Sequence, residues 1–138
     1  MRLRKDAKVE LIRSVPLFAR CSRLELAALA GEADELSVPA GKNLTTQGAH
    51  GREFMVIVEG TADVKQGGRR INTLGPGSFA GEIALITGMP RTATVTTTSP
   101  TTLLVLTHRA FRRVVDQMPS VQGHIMDALA ERLQADSL

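Results

Sequence analysis

The spacing of the hydrophobic residues changes twice along the chain. Before residue 34 and after residue 106, apolar residues recur every three or four positions, which is typical of helices with one buried face. Between these limits the period is two, and short apolar runs are separated by turns that contain glycine or proline. The pattern therefore predicts a central β-structure with helices on either side of it in the sequence.

Four helices are predicted, two before the strands and two after them. Pro16 ends the first, and Ser22 begins the second by forming a capping box with Glu25. Thr107 caps the third, and Pro119 breaks or restarts the helical pattern. The predicted ranges are about 6–14, 22–33, 107–118 and 120–134.

Seven short strands are predicted in the middle of the chain. The run Phe54–Val58 is apolar on both faces, so it is expected to be a central or covered strand. Gly67 and Gly68 are typical of a hairpin turn. The predicted strands are 35–38, 42–46, 54–58, 61–65, 69–74, 92–98 and 103–106. Many short strands with regular turns indicate a β-sandwich or barrel.

The composition fits one folded domain inside the cell. A chain of 138 residues with 43% hydrophobic residues is long enough to bury a core. The net charge of +3 comes from scattered basic residues, and no Tyr or Trp accompanies them, so we expect no direct DNA binding. Cys21 is the single cysteine, which excludes an internal disulfide and fits a small buried side chain. No apolar run approaches the roughly 18 residues of a membrane span, so we expect a cytoplasmic protein without membrane insertion.

Signs of catalysis are missing from the sequence. His50, His108 and His124 are far apart and lack the spacing of metal ligands, so no metal is predicted. No nucleophile motif and no Walker-type phosphate loop occurs. We therefore predict a protein that is not an enzyme and that carries no cofactor.

The segment Gly75–Ala93 combines glycines, one acid and one arginine between apolar strands. Gly81 opens a short apolar helical turn, Ile83–Ile86, and a helix start next to glycine presents N–H groups to anions. Arg91 adds a two-pronged set of donors that suits a phosphate, whereas Glu82 is better placed to accept from hydroxyls. This combination predicts a site for a sugar phosphate.

The sequence GEIAL at residues 81–85, followed by PRTATV at 90–95, resembles the phosphate-binding cassette of cyclic nucleotide-binding domains, and most of all the bacterial ones. VPLF at 15–18 before a capped helix also resembles the start of such domains. The resemblance covers about residues 11–133. It implies a mainly β fold with helices: a jelly-roll-like β-roll (double-stranded β-helix), an N-terminal helical piece, a short cassette helix and two C-terminal helices.

One domain is expected over residues 1–138. Its N-terminal helices would occupy 1–33 and the β-roll 34–106. The cassette would lie at 75–95 within the β-roll, and the C-terminal helices would follow at 107–138.

The resemblance also implies roles for individual residues. Arg91 would pair with the cyclic phosphate, and Glu82 would accept from the ribose 2′-hydroxyl. Thr92 would contact a phosphate oxygen or the edge of a guanine. Arg132 would cover the base from the last helix. The predicted ligand-binding residues are Gly81, Glu82, Ile83, Ala84, Arg91, Thr92 and Arg132.

Each role has a plainer alternative. Arg91 would otherwise be a surface charge, Glu82 a partner of a helix dipole, Thr92 a strand residue, and Arg132 a cation near a helix end. Thr92 leaves the choice between cAMP and cGMP open, and the bacterial resemblance favours cAMP.

The wall around the purine is the least specific part of the expected site. Val64 and Phe79 are candidates for this wall. Ala80 departs from the aromatic residue that family members often carry before the cassette glycine.

The resemblance implies a cyclic nucleotide sensor whose C-terminal helices rearrange and act on an unidentified effector protein or domain. Relatives join such domains to channels, kinases or DNA-reading helices. The initial Met and the full set of elements favour a stand-alone protein, and a regulatory piece of a longer channel or transcription regulator is the alternative. A protein-interaction domain that has lost its ligand is a further alternative, which the presence of both Glu82 and Arg91 disfavours.

Overall fold

The computed structural model describes residues 3–81, 85 and 90–137, and for residues 132–137 it describes the backbone only. By its internal contacts the chain divides into two compact units. A helical unit contains Met1–Ala33 and Arg109–Leu138, and a β unit contains Asp34–His108.

The β unit consists of two four-stranded sheets in which neighbouring strands are antiparallel. The strands are β1 (Asp34–Val38), β2 (Asn43–Thr45), β3 (Glu53–Glu59), β4 (Ala62–Gln66), β5 (Arg69–Leu74), β6 (Phe79–Ala80), β7 (Thr94–Thr97) and β8 (Thr101–Thr107). One sheet has the order β1-β8-β3-β6 and the other β2-β7-β4-β5. The expected jelly-roll-like β-roll is confirmed.

Strand β3 lies inside its sheet, between β8 and β6. Four of its five apolar residues, Phe54–Ile57, are buried and Val58 is half-buried, in agreement with the covered strand that the apolar run predicted. Both sheets contribute to one cluster of buried side chains, formed by Met55, Ile57, Ala62, Val95 and Leu103. Burial of a large apolar side chain contributes about 1.5–3 kcal/mol, so this cluster stabilises the β unit.

The helical unit is built from α1 (Lys5–Arg13), a 3-10 turn (Pro16–Phe18), α2 (Arg23–Glu32), α3 and α4 (Ser120–Ser137). Helix α3 spans His108–Gln117, so its first residue is the last residue of the β unit. The predicted capping box at the start of α2 is confirmed. Ser22 Oγ accepts from the Glu25 amide at 3.2 Å, and Glu25 Oε1 accepts from the Ser22 amide at 2.7 Å. None of the helices that the structure describes is long and apolar enough to cross a membrane.

Two elements near the cassette differ from the prediction. The strand expected to begin at Thr92 begins at Thr94. The backbone of Arg91 instead exchanges hydrogen bonds with Gly48 and Ala49, which takes it out of the sheet ladder. The short strand β6 was not predicted, because two residues are too few to show a period. The predicted cassette helix lies outside the described residues except for Leu85, which is helical and donates its amide hydrogen to Gly81 O at 3.1 Å.

Candidate functional site

Arg91 is buried in the β unit, with only 7% of its surface exposed. Its main chain is fixed from both sides by one loop: the Gly48 amide donates to Arg91 O at 2.8 Å, and the Arg91 amide donates to Ala49 O at 2.9 Å. The same loop is closed by a bond from the Ala49 amide to Thr46 O at 3.0 Å. The loop between β2 and β3 therefore determines where the arginine side chain starts.

The guanidinium of Arg91 is only partly satisfied. Its Nη2 donates to the backbone oxygen of Glu53 at 2.9 Å and lies 3.3 Å from the Glu53 carboxylate. Its Nη1 is buried and has no hydrogen-bond partner among the described residues. A buried donor without an acceptor costs about 1–3 kcal/mol, and a charged one more, so Nη1 is the natural contact for an added anion.

Two glycines make room for this guanidinium. A Cβ on Gly51 would lie 2.7 Å from Arg91 Nε and 2.8 Å from Nη2, closer than real Cβ contacts come. A Cβ on Gly81 would lie 2.5 Å from Arg91 Nη1 and would collide with the backbone oxygen of Glu53. Gly81 also has a φ of +89°, which other residues rarely adopt. Glycine is therefore needed at both positions for Arg91 to lie where it does.

Thr92 is exposed next to the buried arginine. Its carbonyl accepts from Gln66 Nε2 at 3.2 Å, at the end of β4. Gln47 makes a second link to this hairpin, because its side-chain Oε1 accepts from the Gly67 amide at 2.9 Å, while its backbone N–H donates to Thr94 Oγ1 at 2.9 Å. The β4–β5 turn and the residues beside Arg91 are thus held together by side-chain amides.

The structure brings together Gly81 and Arg91, two of the predicted ligand-binding residues. Glu82, Ile83 and Ala84 lie outside the described residues. Arg132 lies in α4, but its side chain is also outside them. The two candidates for a purine wall are both half-buried: Val64 packs at the margin of the core cluster, and Phe79 pairs with Val56 in the sheet.

A second polar cluster lies in the helical unit, around Glu25, whose surface is 1% exposed. Its carboxylate accepts from the Ser22 amide at 2.7 Å, from Ser120 Oγ at 2.6 Å and from His124 Nδ1 at 2.8 Å. Burial alone would raise the pKa of Glu25, but the three hydrogen bonds and the nearby His124 outweigh it and hold the pKa below its ordinary value. The cluster joins the first turn of α2 to the first turns of α4.

Cys21 is buried, as expected, close to this carboxylate. Burial and then the negative charge of Glu25 raise the pKa of the Cys21 thiol to about 12. A thiol with this pKa stays protonated at neutral pH and is a poor nucleophile. Within the described ranges, no group of three His, Cys, Asp or Glu residues could hold a metal ion.

The family model for the cyclic nucleotide-binding domain matches residues 35–118 of this chain. The chain belongs to this family. It is 33% identical over 136 residues to a cAMP-dependent protein kinase regulatory subunit of Mycosarcoma maydis. The aligned region covers 91% of this chain and 26% of that protein. It is also 33% identical over 123 residues to a cyclic nucleotide-gated potassium channel of Mesorhizobium japonicum, which covers 89% of this chain and 34% of that one.

A solved structure has the same fold over nearly its whole length. This is the N-terminal domain of a transcriptional regulator from Streptomyces coelicolor A3(2), with a TM-score of 0.82, 27% identity and 92% of each chain covered. By contrast, the chain spans about a quarter to a third of the length of the two curated relatives. The family is thus established for this chain, while the activities of the longer relatives belong to those proteins.

Three residues at the site escaped the sequence analysis. Glu53 and Gly51 surround Arg91 from 38 and 40 residues earlier in the chain, and His108 contacts the cassette residue Leu85 at 2.8 Å. Pairing across such distances leaves no periodic signal.

Proposed function

We propose that this chain is a cyclic nucleotide sensor, a domain of residues 1–138 that binds cAMP, with cGMP as the second candidate ligand. The observation that carries the proposal is the buried Nη1 of Arg91, which has no acceptor among the described residues. A cyclic phosphate would supply that acceptor and neutralise a buried positive charge. Membership of the family supports the choice of a cyclic nucleotide over other anions.

The remaining ligand contacts follow from this pairing. Gly81, which carries no side chain next to Nη1, would let the phosphate approach the backbone, where the amides of Ile83 and Ala84 would donate to it. Glu82 would accept from the ribose 2′-hydroxyl. Thr92 is exposed beside Arg91, where its hydroxyl would bond a phosphate oxygen or a guanine edge. Arg132 would cover the base.

The function is binding without catalysis, and the nucleotide would be met in the cytosol. Binding would rearrange the C-terminal helices α3 and α4, and these would act on an effector protein or domain. A relative named as a kinase regulatory subunit and another named as a gated channel support a regulatory role of this kind.

The rival proposal is an interaction domain that keeps the fold without a ligand. The state of Arg91 argues against it, because a chain with no anion to bind gains nothing from a buried guanidinium that lacks one partner. An exposed or hydrophobic residue at this position would be expected in such a domain.

Isothermal titration calorimetry with cAMP, cGMP and 5′-AMP tests the proposal. The wild type should bind a cyclic nucleotide more tightly than 5′-AMP. Arg91→Ala should lose about 100-fold or more in affinity, since truncating one partner of a buried charge pair costs roughly 2–5 kcal/mol. Arg91→Lys should recover only part of the loss, because an ammonium lacks the two-pronged geometry.

Arg112→Ala is the matched control. It removes the same charge from an exposed site, where the guanidinium lies 3.8 Å from Asp116. Its affinity should equal that of the wild type within about twofold, as expected for a weak surface pair. If the folded wild type binds no cyclic nucleotide, the result favours the interaction domain. If a folded Arg91→Ala binds with the same affinity as the wild type, Arg91 is not part of the binding site.

A further inference from the structure

His108 occupies a junction in the chain. It is the last residue of the β unit and the first residue of α3. Its backbone amide donates to Arg52 O at 2.8 Å, and its ring Nδ1 lies 2.8 Å from Leu85 O. A carbonyl oxygen can only accept, so Nδ1 must carry the hydrogen of this bond.

Both contacts of His108 lead to Arg91. On one side, Leu85 donates its amide hydrogen to Gly81 O at 3.1 Å, and the Cα of Gly81 faces Arg91 Nη1. On the other side, Arg52 is followed by Glu53, whose backbone oxygen accepts from Arg91 Nη2 at 2.9 Å. These contacts therefore form a closed ring that runs through His108, Leu85, Gly81, Arg91 and the pair Arg52–Glu53.

We propose that His108 is a positioning residue for the anion site. Its ring holds the backbone oxygen of Leu85, and its amide holds Arg52, next to the Glu53 oxygen that fixes Arg91 Nη2. Together they fix the backbone of Gly81 and Glu53, which lies beside the guanidinium. The role in ligand binding rests on the proposed function, whereas the role in holding Leu85 does not.

Two substitutions separate the hydrogen bond from the shape of the ring. The Nδ2 of asparagine lies at about the same reach from the backbone as the Nδ1 of histidine, so His108→Asn keeps a donor for Leu85 O. His108→Phe fills similar space without any donor. His108→Ala is a second donor-free variant in case the phenylalanine is not tolerated.

The first readout needs no ligand. In NMR hydrogen-exchange measurements on the free protein, the Leu85 amide should exchange about 5-fold to 10-fold faster in His108→Phe and His108→Ala, the expected effect of losing one hydrogen bond. His108→Asn should exchange at the wild-type rate. Equal rates in all four proteins would overturn the inference.

The second readout is cAMP affinity in the same proteins. The donor-free variants should bind about 5-fold to 10-fold more weakly, by the same loss of one bond, and His108→Asn should stay within twofold of the wild type. Arg109→Ala, the exposed neighbour on α3, serves as control and should bind like the wild type. A wild type that binds no cyclic nucleotide would refute the proposed function and leave the exchange experiment to decide the role of His108. If the wild type binds cAMP and every His108 variant binds it with equal affinity, the proposed function stands and the positioning role of His108 is refuted.

Discussion

Among the residues whose side chains are described, each of the two units buries one charged side chain, and the surroundings of the two charges differ. In the helical unit, Glu25 is 1% exposed and its two carboxylate oxygens receive three donors. In the β unit, Arg91 is 7% exposed, and one of its terminal nitrogens has no acceptor among the described residues. Within the described part of the chain, the cluster around Glu25 is complete, and the cluster around Arg91 is open because one donor has no acceptor.

On the proposed function, this difference would separate a structural charge, Glu25, from a ligand-binding charge, Arg91. A buried charge whose partners are all present holds elements together, because removing it leaves every partner unsatisfied. A buried charge with an open donor stabilises the free protein less, since part of its desolvation cost is not offset. The open donor of such a charge can still form a favourable hydrogen bond with a ligand. Glu25 should therefore matter most for folding, and Arg91 most for affinity.

The largest expected effect is on the stability of the ligand-free protein. In urea unfolding at pH 7, Glu25→Ala should lower the free energy of unfolding by about 2–4 kcal/mol, because it removes the capping box and leaves Ser120 and His124 without their acceptor. Arg91→Ala in the same assay should change it by less than about 1 kcal/mol, because the cation that it removes is incompletely paired.

Glu10→Ala provides the control for the loss of a carboxylate. Glu10 is an exposed partner of Arg13 within α1, and such a pair contributes about 0.2–0.5 kcal/mol. If Arg91→Ala destabilised the free protein as much as Glu25→Ala does, the distinction between a complete and an open cluster would be wrong.

A smaller effect is expected from a single methyl group beside Arg91. Gly51→Ala should weaken cAMP binding by about tenfold, roughly 1.4 kcal/mol, because its Cβ would push the guanidinium from its position. Gly51 does not have a positive φ, so alanine is compatible with the backbone there. Gly75→Ala is the matched control: it too has no positive φ, and its Cβ would meet nothing within 4 Å. Calorimetry that finds the same affinity for both variants would mean that Arg91 need not stay where the structure has it.

Features that depend on neighbouring residues were predictable from the sequence. Strand β5 has the predicted limits, 69–74, because a double-glycine turn and a proline-containing turn bound it. The capping box of Ser22 and Glu25 was predicted because its two members are three residues apart. Arg91 was recognised as a candidate from its local setting of glycine, proline and hydroxyl residues.

The partners of these residues were not predictable in the same way. Glu25 was interpreted only as a helix cap, whereas it is also the acceptor for Ser120 and His124, which follow 95 and 99 residues later. Glu53 lies 38 residues before Arg91. Periodicity reports which face of an element is buried, but it does not report which distant polar groups meet there. For that reason the sequence indicated that Glu25 and Arg91 have specific roles, but it did not indicate which of the two has a full set of hydrogen-bonding partners.

The smallest expected effect is a pH dependence that only the complete cluster should have. The folded-state pKa of Glu25 is held below its ordinary value of 4.5, so its ionised form stabilises the fold at every pH above that value. This contribution is lost as the pH falls through the folded-state pKa, because the carboxylate then takes up a proton. The stability difference between the wild type and Glu25→Gln should therefore narrow as the pH falls below about 5. Urea unfolding at intervals from pH 7 to pH 3 measures it, with Glu10→Gln as the exposed control. A difference that stayed constant or widened towards pH 3 would show that the buried carboxylate does not draw its stabilising effect from its charge.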